Sequence, residues 1–219
     1  MRIPSLLLGL AALSAIVLST ASALTENLPG DQTISLWLQG LGTGWLEDVM
    51  NGVTSLGGTT LAISLLVLAA VVLVVRSHRV DAFALPVVAL GTVLMPITKE
   101  LVHRPRPSSE IVAVLSSVGG HSFPSGHAFL ATVVFGALFH MAGRICGPHT
   151  LLVLTIRALL VLAILAVGAS RVYLGAHWPS DVLGGYLLGG LSLFATIWLF
   201  ESFARPILSV RLQPSPLPK

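Results

Sequence analysis

Three short clusters between residues 99 and 181 combine cations, histidines and a carboxylate in a pattern suited to handling phosphate. The first is Lys99-Glu-Leu-Val-His-Arg-Pro-Arg106-Pro107. Lys99 falls at the end of an apolar run. Pro105 and Pro107 cannot continue a helix, so the chain must turn there into an extended loop. The second is Phe123-Pro124-Ser125-Gly126-His127, directly before another apolar run. Ser125 is placed to cap the coming helix, and Gly126 lets backbone approach a ligand closely. The unpartnered N–H groups of that helix start favour an anion in the loop before it. The third, Ser170-Arg171-Val-Tyr-Leu-Gly-Ala-His177-Trp-Pro-Ser-Asp181, sets a carboxylate four residues after a histidine. Asp181 would accept the Nδ1 proton of His177, leaving Nε2 to attack and steadying positive charge on the ring.

Each cluster also has an ordinary explanation. Lysine and arginine at a membrane helix end commonly snorkel to the interface. A Ser-Gly helix start is widespread, and an Asp–His pair can simply cap a helix. Coincidence is what weighs against these accounts, because all three clusters fall at the same predicted face and no other predicted loop holds comparable groups.

The elements that must carry these clusters are membrane helices. Charged residues make up 10% of the 219, against about 25% in a typical soluble domain, and the hydrophobic share is 54%. With a mean hydropathy of +0.91, the chain lacks the polar skin a soluble core of this size needs. Cys146 is the single cysteine, which excludes an intrachain disulfide and a cysteine metal cluster. A net charge of +3 gives no reason to expect a nucleic-acid partner. A helix crosses the bilayer core in about 20 residues, and six runs qualify, near residues 5–24, 56–75, 82–102, 127–143, 150–169 and 182–203. The expected fold is an all-α, polytopic membrane bundle forming one domain over 1–219, with Pro86 and Pro96 kinking the third span.

The first run has two readings. Arg2, the stretch Leu6 to Leu18 and Ala21-Ser22-Ala23 have the layout of a cleaved signal peptide, yet the run is long enough to stay as an anchor. Basic residues set the orientation. Arg2, Arg76, Arg79, Arg144, Arg205, Arg211 and Lys219 fall on the cytoplasmic side, and the first outside loop carries Glu26, Asp31, Glu47 and Asp48. Lys99, Arg104, Arg106 and Arg171 break the pattern by lying outside, where an anion site would account for them. Ser35 to Met50 reads as a short amphipathic helix resting on the membrane through Trp37 and Trp45, weakened by Gly40, Gly42 and Gly44.

The three clusters, in this order and spacing, resemble the type-2 phosphatidic acid phosphatase superfamily. Its pattern is a lysine, six residues and Arg-Pro, then Pro-Ser-Gly-His, then Ser-Arg, five residues, a histidine, three residues and an aspartate. Lys99/Arg106/Pro107, Pro124/Ser125/Gly126/His127 and Ser170/Arg171/His177/Asp181 match it without departure. The resemblance implies a bacterial inner-membrane lipid phosphatase with its active site at the extracytoplasmic face, needing no metal and no cofactor. It assigns the phosphate oxygens to Lys99, Arg106, Arg171, Ser125 and the Gly126 N–H. His177 becomes the nucleophile that carries a phosphohistidine, Asp181 its orienting partner, and His127 the acid for the leaving lipid oxygen.

Undecaprenyl diphosphate, phosphatidic acid and phosphatidylglycerol phosphate all fit such a site; short loops favour a lipid over a soluble sugar phosphate, and the polyprenyl diphosphate is ranked first among the three. The same residues would serve a phosphotransferase, or an anion-binding or transport protein. Soluble haloperoxidases with similar motifs are excluded by the six apolar runs. His78, His140 and His149 fall toward the cytoplasmic side. His103, Arg104 and His121 either touch a second phosphate or headgroup or are solvated loop residues, and Arg157 inside the fifth run either snorkels or pairs.

Overall fold

The computed structural model describes residues 5–42, 44–146 and 150–211, without the side chains of residues 144–146 and 210–211. Arg2, His149 and Lys219 lie outside the described residues, as do the side chains of Arg144, Cys146 and Arg211. Every regular element among the described residues is helical, as expected. The order is α1 (Ser5–Leu24), α2 (Asp31–Gly40), α3 (Gly44–Ser55), α4 (Thr59–Val75), α5 (Arg79–Ala82), α6 (Ala84–Gly91), α7 (Leu94–Val102), α8 (Gly126–Cys146), α9 (Leu151–Tyr173), α10 (Pro179–Leu199) and α11 (Arg205–Arg211). A π-helical turn over Phe200–Ala204 joins the last two.

Five stretches are long and apolar enough to cross a bilayer: Ser5–Leu24, Arg79–Val102, Gly126–Gly143, Leu151–Tyr173 and Pro179–Ser209. The sixth expected span, 56–75, is shorter than its apolar run. Helix α4 has 17 residues; at about 1.5 Å each it rises roughly 25 Å, less than the roughly 30 Å of hydrocarbon. It qualifies only together with α3, from which it is bent by 48°. The single surface helix expected from Ser35 to Met50 is likewise two helices, α2 and α3, separated at residues 41–43. Glycine every second residue from 40 to 44 removes helix propensity at about 1 kcal/mol each, enough to break a short amphipathic helix.

The third span runs in three pieces, α5, α6 and α7, and its breaks follow its prolines. A proline cannot donate to the carbonyl four residues back, and its ring crowds that carbonyl. Pro86 and Pro96 act in this way on Ala82 and Thr92, where α5 ends and α6 meets its C-cap.

Helix α8 is the packing centre, flanked by α9 and α10, while α1 covers α10 and α7, and α3 lies along α9. Gly185 and Gly189 bring the α10 backbone against α8. A Cβ on Gly185 would sit 2.8 Å from the Ser125 carbonyl oxygen, and one on Gly189 3.0 Å from that of Phe129. This small-xxx-small contact is how membrane helices gain close van der Waals packing without a hydrophobic drive between them. Outward-facing Leu151, Leu154, Leu159, Leu162 and Leu165 leave α9 with an apolar face suited to lipid.

Candidate active site

The close α8–α10 contact fixes the frame of the site. The Ser125 N–H donates to the Asp181 carbonyl at 3.0 Å, joining the start of α8 to the first turn of α10. Pro179 opens α10, a position where its missing N–H costs nothing. Asp181, two residues later, accepts the Trp178 N–H on Oδ2 at 2.9 Å. The helix-capping role considered for Asp181 is therefore real, and it coexists with the histidine contact.

His177 is carried on the short link between α9 and α10. Its turn depends on Gly175, at φ +64°, where a Cβ would collide with the Ala113 carbonyl oxygen. Arg106 reaches the ring from the opposite side. Its Nη1 donates to the Ala176 carbonyl at 2.7 Å and lies 3.2 Å from Nε2 of His177. Its Nε and Nη2 hold the carbonyls of Gly120 at 2.9 Å, Gly119 at 3.1 Å and His121 at 3.3 Å. Lys99 Nζ donates to the same His121 carbonyl at 2.6 Å. Because a guanidinium can only donate, Nε2 must be the acceptor, which assigns the ring proton to Nδ1. Nδ1 points at Oδ2 of Asp181 from 3.6 Å, just outside hydrogen-bond distance, and has no other partner. The expected pairing is thus present as a near contact.

Burial pushes the His177 pKa down to about 4; Asp181 pulls it up, and Arg106 and Lys99 add to the lowering. The ring is accordingly neutral at pH 7, with its lone pair on Nε2. Burial also lowers the Arg106 pKa, opposed by Asp181; its ordinary value is so high that the guanidinium stays charged.

Arg171, at the end of α9, points one nitrogen at α3: Nη1 donates to Thr54 Oγ1 at 2.8 Å. Its Nε and Nη2 are buried with no partner, and so is Ser125 Oγ. Buried donors without acceptors cost on the order of 1–3 kcal/mol each. An anion supplied from outside would satisfy all of them. His127 is half-buried on the first turn of α8 and lies within the fields of Arg171, Arg106 and Lys99. Gly126 is not demanded by packing, since a Cβ there would meet only the Met95 side chain at 3.5 Å. Lys99, Arg106, Ser125, Gly126, His127, Arg171, His177 and Asp181 therefore gather at one end of the bundle.

Arg104 departs from both readings the sequence allowed. It is neither solvated nor aimed at a ligand, but 1% exposed and fully paired. Nη1 donates to Asp181 Oδ1 at 2.6 Å and Ser180 Oγ at 2.7 Å, Nη2 to Asp31 Oδ2 at 2.7 Å, and Nε to the Glu26 carbonyl at 3.1 Å. Asp31 also accepts the Ser180 N–H at 2.9 Å, and Ser122 Oγ donates to Asp181 Oδ2 at 2.5 Å. Sequence reasoning set Arg104 near the site but missed its pairing with two carboxylates, and it missed Asp31, Ser122, Ser180 and Thr54 as parts of the site. Asp31 had served only as an outside-loop charge. The one available signal was its place at a helix start, which says nothing of the arginine 73 residues later.

At the other end of the bundle Arg205 pairs with Asp81 and Glu201, and His78 lies 3.3 Å from Asp81. Arg157 stacks over Phe139, 4.7 Å from the ring centroid, and donates to its carbonyl. None of these groups reaches the site.

A sequence model described as the PAP2 superfamily matches residues 82–205. Phosphatidylglycerophosphatase B of Bacillus subtilis (strain 168) is 34% identical over 166 residues, which cover 74% of this chain and 78% of that protein. An undecaprenyl-diphosphatase of Sulfolobus acidocaldarius is 35% identical over 80 residues, 35% of this chain and 32% of the relative. Among solved structures, the transmembrane PAP2-type phosphatidylglycerolphosphate phosphatase from Bacillus subtilis superposes with a TM-score of 0.75 at 27% identity, covering 87% of this chain and 96% of that one.

Proposed function

The chain belongs to the PAP2 superfamily, and on that footing we propose that it is an integral membrane lipid phosphatase working through a phosphohistidine on His177. The observation that carries the reading is the set of buried, partnerless donors, Arg171 Nε and Nη2 and Ser125 Oγ, beside Lys99, Arg106 and a neutral His177. Such donors hold charge that develops on a transferring phosphoryl group without reorganising during reaction. In the proposed cycle the substrate phosphate takes over the Arg106 donors, which frees Nε2. The Nε2 lone pair attacks phosphorus, the bond from phosphorus to the lipid oxygen breaks, and His127 gives that oxygen its proton. Water then attacks the phosphohistidine, returns a proton to His127, and releases phosphate from the restored imidazole. Asp181 balances the positive charge that builds on the ring. Lys99, Arg106 and Arg171 supply the positive charge a divalent metal would otherwise bring, so turnover is expected to persist in EDTA.

Orientation follows from the basic residues. Arg76, Arg79 and Arg205 belong to the end of the bundle opposite the site, and the bias of such residues toward the cytoplasm puts the site outside, in the inner membrane of a bacterium. For the order of substrates, alignment coverage is the guide. The relative aligned over most of its length is a phosphatidylglycerophosphatase, while the undecaprenyl-diphosphatase aligns over about a third. A phosphatidylglycerol phosphate-type monoester therefore stands first and a polyprenyl diphosphate second.

The test is phosphate release in detergent with EDTA from phosphatidylglycerol phosphate, undecaprenyl diphosphate and phosphatidic acid, beside His177→Ala. Vanadate should inhibit competitively. Release lost in the variant supports the mechanism, and the three rates rank the substrates; activity that survives His177→Ala would exclude this nucleophile.

A further inference from the structure

We propose that Glu100, His103 and His121 form a binding site for a first-row transition dication of the Zn²⁺ class, on the outer rim beside Lys99 and Arg106. Their ligand atoms, one from each residue, lie within 4.8 Å of one another. Glu100 and His103 are one helical turn apart, with Oε2 and Nε2 4.0 Å apart. The backbone of His103 is left-handed at φ +52°, and this C-cap conformation turns its ring toward His121, 4.4 Å away between centroids. Two imidazoles and a carboxylate are a donor set typical of zinc sites that keep an open fourth position. Tetrahedral bonds of about 2.0–2.1 Å bring ligand atoms to roughly 3.3 Å of one another, so the cluster must contract by about 1.5 Å at most. Glu100 and His103 are exposed, so rotation of their side chains supplies that movement without disturbing the fold.

The site is wired to the phosphate-facing cations. The carbonyl of His121 accepts from both Lys99 Nζ and Arg106 Nη2, and its neighbours Gly119 and Gly120 take the remaining Arg106 donors. An ion held by the His121 ring adds a positive charge beside the two cations and fixes the segment whose carbonyl they share. Zn²⁺ should therefore lower turnover, an effect that rests on the phosphatase reading; binding itself does not.

The experiment uses the full-length, tag-free protein in detergent, titrated with Co²⁺ for its tetrahedral visible absorption and then with competing Zn²⁺. One equivalent is expected to bind at micromolar concentration. His103→Asn, which keeps a residue tolerant of positive φ, should weaken binding at least tenfold, and so should His121→Asn. His78→Ala, at the far end of the bundle, should bind as the parent does. Absence of a stoichiometric tetrahedral signal, or parental affinity in both asparagine variants, overturns the site. Stoichiometric binding with unchanged phosphate release overturns only the coupling to turnover.

Discussion

Replacing Arg104 by alanine should cost more than replacing any cation that faces the phosphate site. Its guanidinium is fully buried between two carboxylates, Asp31 and Asp181, themselves 3% and 0% exposed. Removing one partner of a buried ion pair typically costs about 3–5 kcal/mol, because the other charge is left without compensation. Here the lower part of that range applies. Asp181 keeps the Trp178 N–H and Ser122 Oγ, and Asp31 keeps the Leu28 N–H with both donors of Ser180. A loss of about 3 kcal/mol is roughly a hundredfold in the folding equilibrium. Denaturant titration in detergent micelles, followed by the fluorescence of the four tryptophans, reads it directly. If Asp181 orients His177 as proposed, kcat should fall by about 10- to 100-fold while KM moves little. Arg104→Lys should recover only part of either loss, since one ammonium cannot reproduce a fork that spans two acids. In a double-mutant cycle with Asp31→Asn the losses should fall short of additive by about 1 kcal/mol or more. An Arg104→Ala protein with parental stability and kcat, or strictly additive losses, would refute the argument.

Three further outcomes follow from the geometry. The proposed nucleophile, His177, must be neutral to attack, and burial lowers its pKa to about 4; protonation should therefore remove activity only well below the usual histidine range. The acid limb of kcat/KM should lie near pH 4, and a limb centred above pH 6 in the parent protein, with a histidine ring titrating there by NMR that is missing from His177→Ala, would contradict this. Thr54→Val deletes the only side-chain acceptor on Arg171 among the described residues, and should raise KM or lower kcat by roughly tenfold, about 1.4 kcal/mol, with Thr54→Ser close to the parent; unchanged kinetics in the valine variant would show that Thr54 does not position the arginine. Gly185→Ala places a Cβ 2.8 Å from the Ser125 carbonyl oxygen, and should cost about 1–3 kcal/mol of stability and reduce activity. Gly190→Ala, with open space around it, should melt like the parent, and equal behaviour of the two variants would exclude the close helix contact.

The residues with a chemical signature were legible because their types and spacing are themselves the signal. Lys99, Arg106, His127, Arg171, His177 and Asp181 could be named from local sequence, and they lie together at one end of the bundle. The proline breaks in the third span were legible for the same reason, since Pro96 acts on the carbonyl of a residue only four positions away. Arg104 was not legible. It and Arg106 flank the same proline, and local sequence cannot tell which will be buried. What separates them is the arrival of Asp31 and Asp181 from distant segments, 73 and 77 residues away. The second span misled in another way. Its apolar run begins at Leu56, but Gly57 and Gly58 end one helix and start the next, so hydropathy overstated the length of α4.

The Arg104 cluster also sets an order of assembly. Asp31 precedes Arg104 in the chain, so their pair can close as soon as the third span has left the ribosome. Asp181 and Ser180 are made 77 and 76 residues later, roughly 4–15 s at ordinary rates of synthesis. During that interval Nη1 of Arg104 has none of its final acceptors, and the loop that carries Arg106 lacks the Ala176 carbonyl that holds it. Insertion of the last span closes the buried pair and sets the histidine in the same event. A half-made chain therefore lacks both the Arg104–Asp181 pair and the Ala176 carbonyl that holds Arg106.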